Sequence, residues 1–264
     1  MEWPSLLVGT IILRPYVFVF LAIYLTIAIL NMGFVRSIVF TLLAYTIAFI
    51  SEYSSTRIGF PYGFYEYIET TRNQELWISN VPFMDSLSYS FLAYVAYTMA
   101  LLMWSPLKIN RWDIRLAENK RVRKSLRVVF SGAIFFMLMD VIIDPVAFQG
   151  DRWFLGKIYT YKEQGEYFNI PLTNFFGWLL VGACILYSFT WLDGYLDQIF
   201  PYKEQEFPAQ ALLGPALYFG VLLFNLAVTF YIEEWALGAC STSLTLMLFW
   251  LLYQKIRRPK KFSL

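Results

Sequence analysis

The stretch SLRVVFSGAIFFMLMDVIIDPVAF, residues 125–148, decides how the rest of the chain is read. Its only charged residues are Arg127 near one end and Asp140 and Asp144 towards the other. A helix needs about 20 predominantly apolar residues, at about 1.5 Å each, to cross the hydrocarbon core of a bilayer. Six more stretches meet that requirement, near 15–32, 37–55, 83–105, 171–196, 211–232 and 235–254. Residues 3–13 either extend the first of these or lie in the membrane interface. The expected fold is an all-α, polytopic transmembrane helix bundle of about seven spans, with residues 1–264 forming a single integral membrane domain. Composition agrees: 58% of residues are hydrophobic and only 15% charged, against about 45–50% and about 25% in an ordinary soluble domain. A bilayer removes the need to hide so much apolar surface. The N-terminus is not expected to be a cleaved signal, because Arg14 and Pro15 interrupt the first apolar stretch and no small-residue cleavage site follows.

Several function classes drop out on composition. The net charge is +2, so no global basic field draws in nucleic acid. There is no histidine, which excludes a histidine general base, a Ser-His-Asp triad and a histidine-ligated metal or haem. Cys184 and Cys240 lie far apart inside apolar runs and read as small core residues. Any chemistry must use Asp, Glu, Tyr, Asn, Arg or a bound ligand.

Orientation follows from the basic segments. Residues 106–127 hold Lys108, Arg111, Arg115, Lys120, Arg121, Arg123, Lys124 and Arg127 against only Asp113 and Glu118. The tail holds Lys255, Arg257, Arg258, Lys260 and Lys261. The positive-inside rule places both in the cytoplasm, and seven spans put them on the same side. The expected topology has the N-terminus outside and the C-terminus inside a bacterial cytoplasmic membrane. The loops 56–82 and 149–170, and the turn with Glu233 and Glu234, are then outside. Both loops are rich in aromatic residues: Phe60, Tyr62, Phe64, Tyr65, Tyr67 and Trp77 in the first, Trp153, Phe154, Tyr159, Tyr161, Tyr167 and Phe168 in the second. Two readings stay open. One is an aromatic belt at headgroup level; the other is a lid over a lipidic substrate. On the second, Gly59, Pro61 and Gly63 shape a tight turn, and the loops pack over the ends of the 37–55, 125–148 and 171–196 spans and close a pocket.

A carboxylate inside a spanning helix is costly and points to function. Glu52 lies near the outer end of its span, and Asp140 and Asp144 lie in the outer half of theirs. Asp85 and Asn174 sit at the outer starts of theirs. The topology brings all five to similar depth, and the inner halves of the same helices are read as free of carboxylates. Spacing i, i+4 puts Asp140 and Asp144 on one helix face about 6 Å apart, and Asp140 lies roughly two to three turns below the surface. The alternative is structural: each group caps a helix end or pairs with an interface arginine such as Arg57. Two aspartates so close in low dielectric do not both ionise, and they hold a proton between them. A carboxylic acid of this kind can protonate a weak base, and aromatic faces can stabilise a cation. A lone D-x-x-x-D also resembles the motif of membrane prenyltransferases, but no second Asp-rich motif accompanies it.

Several segments taken together carry a more specific resemblance. Ser51-Glu52 is followed by Gly59-Phe60-Pro61-Tyr62-Gly63-Phe64-Tyr65-Glu66-Tyr67, then by Val81-Pro82, by Met139-Asp140-Val141-Ile142-Ile143-Asp144-Pro145-Val146-Ala147, and by Ile170-Pro171-Leu172-Thr173-Asn174-Phe175-Phe176-Gly177-Trp178. In order and spacing these resemble the membrane-integral carotenoid hydratases of the CruF type, over roughly residues 40–250. The positions matching that family's motifs are Glu52, Gly63, Tyr65, Tyr67, Asp140, Asp144, Pro145, Pro171, Asn174, Gly177 and Trp178. The resemblance implies addition of water across the terminal C=C of an acyclic carotenoid end, giving a tertiary alcohol, on lycopene, γ-carotene or a related substrate. The acidic surface of halophilic archaeal members is missing, which favours a bacterial carotenoid such as a myxol- or deinoxanthin-type intermediate.

The two lines of reading meet. Hydration of an isolated alkene needs a strong acid and then water, and no cofactor or metal is expected. The expected catalytic set is Asp140, Asp144, Glu52 and Asn174. The expected substrate-binding set is Tyr62, Phe64, Tyr65, Tyr67, Asp85, Tyr89 and Trp178. Partners are the carotenoid and membrane lipids, with no nucleic acid. Competing readings are a membrane carotenoid cyclase with the same first protonation, a non-catalytic carotenoid- or lipid-binding subunit, and a small-solute transporter, which the lack of an inverted repeat disfavours.

Overall fold

A computed structural model describes residues 3–111, 113–117, 120–201 and 207–257. Glu118, Arg258, Lys260 and Lys261, which entered the charge reading, lie outside the described residues. The helices are α1 (Trp3–Leu13), α2 (Pro15–Met32), α3 (Phe34–Ile58), α4 (Phe83–Trp104), α5 (Lys120–Arg123), α6 (Leu126–Ala147), α7 (Leu172–Ile199), α8 (Gln210–Tyr231) and α9 (Trp235–Arg257). Seven of them, α2, α3, α4, α6, α7, α8 and α9, are long and apolar enough to cross a membrane. The protein is an integral membrane helix bundle, and the spans fall within a few residues of their expected limits.

Three short ribbons decorate the ends. Strands β1 (Tyr65–Tyr67) and β6 (Tyr159–Tyr161) pair antiparallel, as do β2 (Trp77–Ile78) with β3 (Val81–Pro82) and β4 (Leu107–Asn110) with β5 (Asp113–Leu116). The first two ribbons lie at one end of the bundle, here the loop face. The third lies at the other, the hairpin face.

Helix α4 is the axis of the fold. Of its spanning stretch 83% is buried, against 22% for α2, and it packs on α2, α3, α6 and α8. Small and hydroxylated residues such as Ser86, Ser90, Ala93, Ala96 and Ala100 let its neighbours approach. Pro15 starts α2 at a position where its missing N–H costs nothing. Arg14, just before it, breaks the chain direction, so that α1 is a separate helix rather than an extension of α2. The Arg14 guanidinium pairs with Glu75 at 3.0 Å, both groups buried, and donates to the Leu155 carbonyl. One side chain thus ties the α1–α2 junction to both long loops.

At the hairpin face the structure corrects one expectation. The half of α7 away from the site does contain carboxylates. Asp193 is buried and meets Arg36 at 2.7 Å and Arg123 at 3.0 Å, while Asp197 meets Arg36 at 2.6 Å and Lys124 at 2.9 Å. These pairs pin α3, α5 and α7 together. The cysteines are corrected too: Cys184 and Cys240 are free and exposed on outward helix faces, not in the core.

Candidate functional site

The two long loops meet across the top of the bundle. In β1 and β6, Tyr65 pairs with Tyr161 and Tyr67 with Tyr159. Alternation along a strand sends residues i and i+2 to one face, so all four tyrosines face the cavity beneath the ribbon. The second loop is held down at helix ends. Trp153 Nε1 donates to the Val146 carbonyl at 3.0 Å, satisfying a group at the end of α6. Arg152 reaches Glu234 and the Ile232 carbonyl. The first loop sits against α7 because residue 177 is glycine: a Cβ there would lie 2.5 Å from the Tyr62 ring and 2.8 Å from the Pro61 carbonyl oxygen.

Beneath this roof is a cavity of about 130 Å³. That is well above the roughly 10–15 Å³ needed to admit a single water, so it has room for several waters or a short isoprenoid end. Asp140, Asp144, Glu52, Asn174, Tyr62, Tyr65, Tyr67, Asp85, Tyr89 and Trp178 all line it. Of the expected catalytic and substrate-binding residues, only Phe64 is left out. Its side chain points away from the cavity, 43% exposed, with the Lys162 ammonium 4.7 Å above its ring.

The carboxyls form two pairs, each joined by one polar group. Asn174 Nδ2 donates to Asp140 Oδ2 at 2.7 Å and to Asp144 Oδ2 at 2.9 Å. Tyr159 and Tyr161 donate to the two oxygens of Asp144 at 2.6 and 3.2 Å. Asp140 is fully buried, and its Oδ1 has no partner among the described residues. The other pair is Glu52 and Asp85, with the Tyr67 hydroxyl between them: it lies 2.8 Å from Glu52 Oε2 and also contacts Asp85 Oδ2. Tyr89 donates to the remaining oxygen of Glu52. Arg57, considered as a partner for Glu52, instead reaches Asn80 on the exposed surface.

Burial first, then the neighbouring Asp85 and Glu52, push the Tyr67 phenol well above its ordinary pKa. Burial and then Asp144 do the same to Tyr159 and Tyr161. These loop tyrosines keep their protons and act as donors.

The walls are aromatic. Tyr89 stacks on Trp178 with centroids 4.5 Å apart and planes at 14°, and Phe136 lies 4.7 Å from Trp178. Towards α2 and α8 the cavity becomes apolar. Tyr16 stacks on Phe224 at 5.5 Å, and Phe20 meets the same ring edge-on at 5.7 Å. Sequence reasoning missed Tyr16, Phe20, Phe224 and Asn225, since nothing along the chain places α2 and α8 beside the carboxyls. It named Tyr159 and Tyr161 only as loop aromatics; the shared Tyr-x-Tyr pattern of the two loops is the signal that pairs them.

A set of carboxyls lining one cavity, each with a hydroxyl or amide partner, with one oxygen left without a partner among the described residues and π faces around it, can deliver a proton to an apolar molecule and hold the cation that results. No curated protein and no solved structure matches the chain. Over residues 9–249, however, it matches the family model described as carotenoid biosynthesis protein. Spanning most of the chain and all the cavity's carboxyls, that match means that the chain belongs to the carotenoid biosynthesis protein family.

Proposed function

We propose that the protein is a carotenoid hydratase, adding water across the terminal C=C of an acyclic end group. The observation that carries this reading is Asp140. It is fully buried, lines a cavity walled by aromatic rings, has its Oδ2 held by Asn174, and its Oδ1 has no partner among the described residues. Asp140 donates its proton to the less substituted alkene carbon, forming a C–H bond and leaving a tertiary cation on the other. Asn174 holds Asp140 and Asp144 together, and Asp144 keeps the pair's second oxygen set in a network of tyrosine donors. Tyr65, Tyr67 and the Tyr89–Trp178 stack line the cation's surroundings. Water attacks the cation, and its O–H proton passes to Glu52, whose two oxygens already accept from Tyr67 and Tyr89. The alcohol forms with no net proton consumed.

The substrate fits the setting. An extended carotenoid is about as long as the hydrocarbon core is thick, about 30 Å, so its end reaches the depth of the carboxyls at the loop face. On this reading the loop face is the outer side of a bacterial cytoplasmic membrane and the basic hairpin face is cytoplasmic.

Expression in a bacterial host that makes lycopene or γ-carotene, with pigments analysed by mass spectrometry, tests the proposal. A gain of one water per acyclic end is expected. An unchanged mass with shortened conjugation would make the protein a cyclase, and unchanged pigment with both substrates would reject catalysis on this class.

A further inference from the structure

Tyr67 has one hydroxyl hydrogen and two carboxyl neighbours. Its oxygen is within hydrogen-bonding distance of both Glu52 Oε2 and Asp85 Oδ2. A phenol donates one hydrogen bond, so the second contact must be made by a hydrogen on one of the carboxyls. Tyr67 cannot supply it by ionising, because burial and both carboxyls keep its own proton in place. Glu52 also receives Tyr89, so it is the acceptor side. The resting order is Asp85 carboxyl to Tyr67 oxygen, then Tyr67 hydrogen to Glu52.

The bridge in the other pair is different in kind. Asn174 donates one amide hydrogen to each aspartate, and an amide nitrogen does not pass a proton on. A hydroxyl does, by giving its hydrogen on one side while taking one on the other. The accessibilities run the same way: Glu52 is 4% exposed, whereas Asp85 is half-buried and opens on the cavity next to Ser88.

We propose that Tyr67 and Asp85 form a proton relay that acts through Glu52 and resets the site after each turnover. This rests on the hydration reading above. When water attacks the cation, one of its O–H bonds breaks and the proton goes to Glu52. Asp85 releases its own proton to water, from which Asp140, left as a carboxylate by the first step, is recharged. Tyr67 then passes its hydrogen to Asp85 while taking the one on Glu52. One proton enters at Glu52 and one leaves at Asp85, and the transfer through Tyr67 itself restores the resting order, with the hydrogen on Asp85 and Glu52 again a carboxylate. The relay lets the site recharge while the alcohol product still lies between Glu52 and Asp140.

The test combines turnover with infrared spectroscopy of the purified protein in detergent. In Tyr67→Phe the ring remains and the hydroxyl is lost. Carotenoid binding and KM are expected to stay near wild type while kcat falls by about a hundredfold, the usual scale for losing a proton-transfer partner. Wild type should show a carboxylic-acid C=O band that Asp85→Asn removes and that moves to higher frequency in Tyr67→Phe as its hydrogen bond is lost. Full turnover in Tyr67→Phe overturns the relay. So does joint loss of binding and turnover, which would make Tyr67 merely structural, or the absence of any band removed by Asp85→Asn, including the case in which Glu52→Gln removes it instead. A wild-type protein that hydrates neither carotenoid yet shows the band would reject hydration and leave the shared hydrogen standing.

Discussion

Replacing Asp140 with Asn separates chemistry from folding. The side chain is fully buried, with one oxygen 2.7 Å from Asn174 Nδ2 and the other without a partner among the described residues. An amide keeps the size and can still offer an oxygen to Asn174. Asp140 rests as a neutral acid, so the hydrogen bond from Asn174 is a neutral one, about 0.5–1.5 kcal/mol, before and after the change. The new amide hydrogens face the position of Oδ1, and leaving them unpaired costs about 1–3 kcal/mol. The fold therefore loses roughly 1–3 kcal/mol, which a seven-helix bundle can withstand. The barrier changes by more than this: loss of a positioned general acid is worth about 10²–10⁴ in rate, or about 3–5 kcal/mol at about 1.4 kcal/mol per decade. The assay pairs hydrated pigment formed in a lycopene-producing host with the amount of protein and carotenoid recovered from the membrane. D140N should be recovered with bound carotenoid and form almost no alcohol. Near-normal turnover in both D140N and D144N, together with a dead E52Q, would refute the assignment and make Glu52 the acid.

Three other outcomes follow from packing and charge. Gly177→Ala should lower thermal stability by about 1–3 kcal/mol, because its Cβ would fall 2.5 Å from the Tyr62 ring; an unchanged melting temperature would mean that the first loop does not rest on α7. Arg36→Met, at the far end of the bundle, takes one of two arginine partners from Asp193, leaving Arg123, and should cost about 1–3 kcal/mol in thermal unfolding, with turnover per folded molecule unchanged. A single cysteine at Ser125, with Cys184 and Cys240 replaced by Ser, should label only from the cytoplasmic side; labelling from outside would invert the topology. The basic tail offers no such structural check, since Ser263 lies outside the described residues.

What was legible from the sequence tracks what the bilayer imposes. Lipid leaves backbone polar groups no partner but their own helix, so seven apolar runs appear as seven spans. The Asp140–Asp144 pair was visible because i, i+4 spacing fixes a face within one helix. Phe64 was misplaced because Phe-Tyr-Glu-Tyr was read as loop. Tyr65–Tyr67 is strand, and period two sends Tyr65 and Tyr67 inward and Glu66 outward, with the exposed Phe64 just before it. Asp193 went unnoticed because its partner, Arg36, lies 157 positions earlier, and separations of that kind are set by helix packing. The same holds for Tyr16 and Phe224, which meet only because α2 and α8 are neighbours.

The roof of the cavity joins strands from different halves of the chain, and so do the walls. Glu52, Tyr67, Asp85 and Tyr89 come before the basic hairpin, and Asp140, Asp144, Tyr159, Tyr161, Asn174 and Trp178 after it. During membrane insertion the first three spans emerge with Glu52 and Asp85 but without the aspartate pair, the second roof strand or the stacked indole. Contacts between residues so far apart in sequence form late. A nascent chain stalled before Tyr161 has no roofed cavity, and one stalled before α7 lacks Asn174 and Trp178, so the site is assembled only after the fifth of the seven spans has been made.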